Sequence, residues 1–184
     1  MNTILEKYRI PIYILILGAA WIWFSAAPAG STTSGEIPAP QEGFLAPDFT
    51  LQNVAGETIT LSELRGQPVL INLWASWCGP CRAEMPAMQR IYESYQEQGF
   101  VILAVNATNQ DSPNSAAAFA VEHSLTFPIL LDVDGAVSGL YRLRSLPTSF
   151  FVNREGIIEE IVIGGPMSEA LLQTRVENLL EEAP

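Results

Sequence analysis

Apolar and polar positions along this chain fall into three regimes. Between Ile10 and Ala27 no charged side chain occurs, and nearly every face of a helix drawn through the segment is apolar. That is not the one-sided stripe of a helix packed on a water-soluble core. Eighteen residues at about 1.5 Å each span roughly 27 Å, enough to cross a hydrocarbon core. Residues 28–45 lose the apolar run and become rich in Pro, Gly, Ser and Thr, which predicts a flexible, partly extended tether. From residue 46 to 184 short apolar runs alternate with segments of helical spacing, which predicts a single globular α/β head.

Within the head, Phe49–Leu51 and Thr58–Leu61 flank Asn53-Val54-Ala55-Gly56 and read as a short hairpin. Ser62 is placed to cap a brief helical turn ended by Gly66. Val69 to Ala75 is too continuously apolar for a strand with one wet face, so it reads as a buried central strand. A helix follows it, with Met85, Met88, Tyr92 and Tyr95 near helical spacing, Pro86 inside and Gly99 at the end. Val101–Val105 is the next strand, and parallel pairing with the first is expected. Ser112-Pro113 opens a helix to about Ser124. Phe127–Leu131 is a strand and Gly135–Leu143 a short helix. Thr148–Val152 and Ile157–Ile163 are strands joined by a turn at Asn153–Gly156. Ser168 caps a closing helix whose Leu172, Val176 and Leu179 share one face. A central sheet covered on both faces is the expected result.

Charge orients the N-terminal segment. Lys7 and Arg9 precede the apolar run and Glu6 is the only opposing charge, which keeps residues 1–9 in the cytoplasm and sends the rest across. Trp21, Trp23 and Phe24 fall near the far interface. The rival reading is a cleaved signal peptide, with small-residue sites at Ser25-Ala26-Ala27 and Ala27-Pro28-Ala29. Pro28 hinders cleavage after Ala27, and the run exceeds a usual signal core, so a single-pass anchor at 10–27 is preferred. Both readings put the head on the extracytoplasmic side.

Composition narrows the classes. Hydrophobic residues make up 48% and charged residues 16%, which excludes general disorder and permits a real core. The formal net charge is −11, His123 is the lone histidine, and no basic run exists, so nucleic acid is not an expected partner.

Cys78 and Cys81 are the only cysteines, too few for a disulfide scaffold. At the junction of a buried strand and a helix, the unpaired amides of the first turn and the helix dipole favour the thiolate of Cys78. Cys81 lies nearly one turn further on, within reach of the first sulfur. Pro80 needs no amide partner in a first turn. Cys78 is therefore the expected exposed attacker and Cys81 the buried resolver. Zinc would need more ligands than this chain offers near the pair. Haem attachment would need His where Arg82 stands. A merely structural pair of buried thiols is the bland alternative.

Trp77-Cys78-Gly79-Pro80-Cys81 resembles the active-site motif of thioredoxin-like proteins. Together with Ala46-Pro47-Asp48-Phe49-Thr50-Leu51, Asn72–Cys78 and Leu146-Pro147-Thr148, it resembles the membrane-anchored TlpA/ResA-type thiol–disulfide oxidoreductases. The resemblance covers about residue 46 to the C-terminus. It implies a thioredoxin-like fold with an N-terminal β-hairpin and a helix–strand insertion near 112–132. It implies a cis Pro147 lying against the cysteine pair, with the backbone at Leu146 open to an extended substrate. Trp77, Gly79, Pro80, Leu146 and Pro147 would thus contact substrate. The buried Asp of thioredoxin aligns with Asn72, which cannot titrate. Glu84 matches an acidic residue of the ResA-like site and would take the proton from Cys81 or hold the Cys78 pKa up. The bland alternative is a solvated Glu in an early helical turn.

The implied function is an extracytoplasmic reductase of protein disulfides that needs no cofactor beyond the Cys78–Cys81 disulfide. The resemblance suggests cytochrome c maturation, with apocytochrome c as substrate, a membrane thiol carrier as electron donor, and a monomeric enzyme. The same chemistry run as an oxidase or isomerase is one alternative. A non-catalytic copper-binding or adaptor module is another. A peroxiredoxin has a similar opening segment but places Thr where Ala75 stands.

Overall fold

The computed structural model describes residues 37–181; the expected anchor at 10–27 lies outside them. Among the described residues no helix is long and apolar enough to cross a membrane. The element order is β1 (Thr50–Gln52), β2 (Thr58–Thr60), β3 (Val69–Trp74), α1 (Gly79–Tyr95), β4 (Val101–Asn106), α2 (Pro113–Glu122), β5 (Ile129–Leu131), α3 (Ala136–Leu140), β6 (Thr148–Val152), β7 (Ile158–Ile163) and α4 (Glu169–Glu181). The five-stranded sheet runs β5-β4-β3-β6-β7, with β3 parallel to β4 and antiparallel to β6.

Every residue of β3 is buried, which is why the run reads as apolar without alternation. Alternation reappears in what each side chain faces. Leu70 and Trp74 pack with α1, α2 and α4 through Met85, Phe119 and Val176. Val69, Ile71 and Leu73 pack on the other face with Phe49, Leu61, Val137 and Tyr141. Asn72 belongs by register to the first row and is wholly buried there. Helix α1 runs through Pro86 without a break.

Two details depart from the sequence reading. Ser62 caps nothing through its hydroxyl: Leu61–Leu64 is a 3-10 turn with no side-chain cap, and the Ser62 amide donates to Asp48 Oδ1 at 2.9 Å. The expected tether reaches the described residues at Ile37, and there it is not loose. Gly43 N donates to Ile158 O, Ile158 N to Phe44 O, and Ala46 N to Gly156 O, all within 2.8–2.9 Å. Ile161 N donates to Glu42 Oε1 at 3.0 Å. These bonds cover part of the outer edge of β7. At the opposite edge, Val54 N donates to Ile129 O at 3.0 Å, so the β1–β2 hairpin covers β5. Covered edges cannot template unwanted strand pairing.

Candidate active site

Strand β3 ends at Trp74, and the chain turns through Ala75-Ser76-Trp77 into α1. Cys78 is the N-cap, in extended conformation, and its Sγ accepts from Cys81 N at 3.3 Å. An amide that α1 itself leaves unpaired is thus aimed at the first sulfur. Pro80 sits in the first turn, where its missing N–H costs nothing. Cys78 and Cys81 are joined as a disulfide with Cα atoms 5.3 Å apart. The two sulfurs differ less in exposure than their positions in the sequence predict. Cys78 is only 5% exposed and Cys81 wholly buried. Access comes through a cleft of about 420 Å³ lined by Trp77, Cys78, Gly79 and Pro80 from the cysteine motif, by residues 143–146, and by Gln110.

The Leu146–Pro147 peptide is cis, as the family resemblance implied. Pro147 O accepts from Gly164 N at 2.8 Å, and Ser145 O from Thr148 Oγ1 at 2.7 Å. Both bonds fix the loop that faces the cysteines.

Glu84 is not a solvated glutamate. It is wholly buried on α1, one turn beyond Cys81. Its Oε1 accepts from Asn72 Nδ2 at 2.9 Å and its Oε2 from Met167 N at 3.1 Å. Asn72 Nδ2 also donates to Ser149 Oγ at 2.9 Å across the β3–β6 pair. Burial holds the Glu84 carboxyl above its ordinary value, against the opposing pull of the Met167 and Asn72 hydrogen bonds. Gly165 is the joint of this arrangement. A Cβ there would stand 2.7 Å from Glu84 Oε2 and 2.8 Å from Pro147 Cγ. The buried carboxyl and the cis-proline loop therefore meet across one glycine, and the Gly165–Pro166 bond beside it is also cis. Nothing in the Gly-Gly-Pro-Met sequence pointed to that meeting.

The turn before Cys78 is held by residues that sequence reasoning passed over. Asp111 Oδ2 accepts from Ser76 N at 2.6 Å and from Asn106 Nδ2 at 2.9 Å. Its Oδ1 accepts from Ser76 Oγ at 2.8 Å and Ser112 N at 2.9 Å. Burial alone would raise the Asp111 carboxyl, but the bonds from Asn106, Ser76 and Ser112 outweigh it and hold it below the usual range. Trp77, 59% exposed, donates its Nε1 to Gln110 O at 2.9 Å. Arg82 is held against the same turn. Its Nη1 donates to Ser76 O at 3.2 Å and its guanidinium lies 4.9 Å from the Phe119 ring centroid. Trp74 is core, packed on Phe119. His123 stacks on the same ring.

A dithiol motif capping a helix at the end of a central strand, faced by a cis-proline loop, defines a thioredoxin-like protein. The chain belongs to the AhpC/TSA family, whose profile matches residues 43–161. Within that breadth it is a thiol–disulfide oxidoreductase of the ResA/TlpA-like kind. The thioredoxin-like protein YneN of Bacillus subtilis is 42% identical over 125 residues, covering 67% of this chain and 72% of its own. The thiol–disulfide oxidoreductase ResA of Oceanobacillus iheyensis is 41% identical over 144 residues, 76% of this chain and 71% of its own. Among solved structures, a DsbE-type thiol:disulfide interchange protein of Chlorobium tepidum superposes with a TM-score of 0.68 at 32% identity, covering 74% of this chain and 95% of its own.

Proposed function

We propose that this oxidoreductase works as a reductase of protein disulfides outside the cytoplasm, tethered to the membrane by residues 10–27. The observation that carries the chemistry is Cys78 Sγ, held at the first turn of α1 and opening into the cleft beside Leu146. In the reduced enzyme, the Cys78 thiolate attacks a partner disulfide, forming a mixed disulfide and expelling one partner thiolate. Cys81 gives up its proton and attacks Cys78 Sγ. The enzyme disulfide forms, and the second partner sulfur leaves and takes a proton. Two electrons have moved to the partner, whose two sulfurs are protonated by the Cys81 proton and one taken from solvent, and a dithiol donor restores the enzyme.

Glu84 is the base assigned to Cys81: it is buried one turn away, and its raised pKa makes it a better proton acceptor than an exposed carboxylate. Trp77, Gly79, Pro80, Leu146 and Pro147 are assigned to the substrate, which lies along the cleft they border or adjoin. The Gly-Pro dipeptide between the cysteines supports the reducing direction. The resemblance to the TlpA/ResA type suggests cytochrome c maturation as the setting, with apocytochrome c as substrate and a membrane thiol carrier as donor. The enzyme acts as a monomer in this reading.

The test is a trap. Cys81→Ala, expressed in the native host, is expected to accumulate mixed disulfides through Cys78 that dithiothreitol releases. Absence of adducts under several growth conditions would remove the reductase reading. Retained function in Cys78→Ser/Cys81→Ser would favour the adaptor instead.

A further inference from the structure

The chain is strongly acidic, at −11, and most of the arginines among the described residues are already held in place. Arg90 pairs with Glu169 at 2.8 Å and Arg175 with Glu160 at 2.6 Å. Arg154 Nη1 donates to Gly66 O at 3.0 Å, and Arg82 holds Ser76 O. Arg65 packs against Gly156. Arg142 and Arg144 differ. Both are exposed, and neither side chain has a carboxylate or carbonyl partner among the described residues. Both lie on the segment leading into Leu146–Pro147.

Their placement is specific. Arg144 borders the redox cleft together with Cys78 and Trp77. It also borders, with Arg142, a neighbouring groove of about 170 Å³ whose apolar wall includes Phe150, Ile161 and Ile163. Ile163 is 69% exposed. Arg142 adopts φ +50°, a left-handed conformation that Gly or Asn would hold with less strain. Two exposed arginines, Arg144 bordering both the redox cleft and the groove and Arg142 bordering the groove, are a local attractor for negative charge on an otherwise acid-rich protein.

We propose that Arg142 and Arg144 select the substrate: a disulfide-bearing segment with an Asp or Glu side chain close to the attacked cysteine and an apolar residue beyond it. Guanidinium forks take carboxylates bidentately. Arg144 is common to the cleft and the groove, and an extended segment advances about 3.3 Å per residue, so one short strand leaving the cleft past Arg144 reaches the groove within a few residues. This selectivity rests on the reductase reading above.

The experiment uses reduced full-length protein and two peptide disulfides that differ only in Glu or Gln two residues from the attacked cysteine. Second-order rate constants for reduction are measured at low and high salt. Wild type is expected to favour the Glu peptide by roughly five-fold at low ionic strength, the scale of an exposed ion pair, and to lose most of that preference in high salt. In Arg142→Gln/Arg144→Gln the preference disappears, in Arg144→Glu it inverts, and in Arg90→Gln, remote from the cleft, it persists. Equal rates on both peptides in wild type, or an undiminished preference in the double variant, would overturn the proposal while leaving the reductase standing. Reduction of neither peptide by a protein shown to be reduced would overturn both.

Discussion

At the scale of single residues the decisive group is Glu84. A carboxyl three positions after a cysteine reads equally as a solvated surface group or a proton acceptor. Burial between Asn72, Met167 and Gly165 removes the first reading. Because its pKa is raised above 4.5 in the fold, its contribution to stability is complete below the unfolded value and is lost as pH rises through the folded one. Glu84→Gln carries no such loss. The stability of wild type relative to the variant, from urea unfolding at a series of pH values, is therefore expected to fall as pH rises from acid toward neutral. The same variant reports on the chemistry. In the proposed mechanism an ionised Glu84 would disfavour a second negative charge at Cys78, so alkylation of Cys78 in Glu84→Gln is expected to reach half-maximum at lower pH. Superimposable alkylation curves would take Glu84 out of the mechanism.

At the scale of elements, the active-site turn is a junction clamped from a neighbouring segment. Asp111 joins the start of α2 to Ser76, just before Cys78, and to Asn106 at the end of β4. Asp111→Ala leaves Ser76 N and Asn106 Nδ2 without their acceptor, and a cost of about 2 kcal/mol is expected. With this carboxyl held below 3.8, its contribution is present above the unfolded pKa and lost as pH falls through the folded one. The gap between wild type and variant should therefore narrow in acid. A gap of the same size at pH 2 and pH 7 would contradict this account of the clamp. The covered edge of β7 makes a second element-level expectation. A chain starting at residue 46 lacks the bonds from Gly43, Phe44 and Glu42. It should be about 1–3 kcal/mol less stable than one starting at residue 34; equal denaturation midpoints would show that this strap contributes nothing.

At the scale of the whole molecule, the sheet holds the dithiol and the cis-proline loop opposite each other, because β3 and β6 are neighbours in the sheet. Direction of electron flow then depends on the relative stability of the disulfide and dithiol forms of the entire fold. For a reductase, a glutathione titration is expected to give a midpoint below about −200 mV, whereas a value near −120 mV would mark an oxidant. The equilibrium is that of the Cys78–Cys81 pair in its fold, so the titration can be made on the head alone.

Much of this was legible without coordinates because it is written in local spacing. A run apolar but for Asn72 marked β3, Ser112-Pro113 marked the start of α2, and two cysteines nearly one turn apart after a strand marked the reactive pair. Leu146-Pro147 was legible only through its likeness to a known family. Other features had no local signature. Asp111 looked like the residue before a helix start, Gly165 like part of a loop, and residues 38–45 like a Pro-rich spacer. Each owes its role to a partner far along the chain: Ser76 for Asp111, Glu84 and Pro147 for Gly165, Ile158 for residues 43 and 44. The sequence by itself determined which sulfur is seated at a helix start, since helix, strand and cap depend on neighbours within a few positions. Only tertiary structure decided how deeply Glu84 is buried, what steadies the turn before Cys78 and that Arg144 borders the cleft. Burial and field are properties of what packs together in space, and no short window of residues contains them.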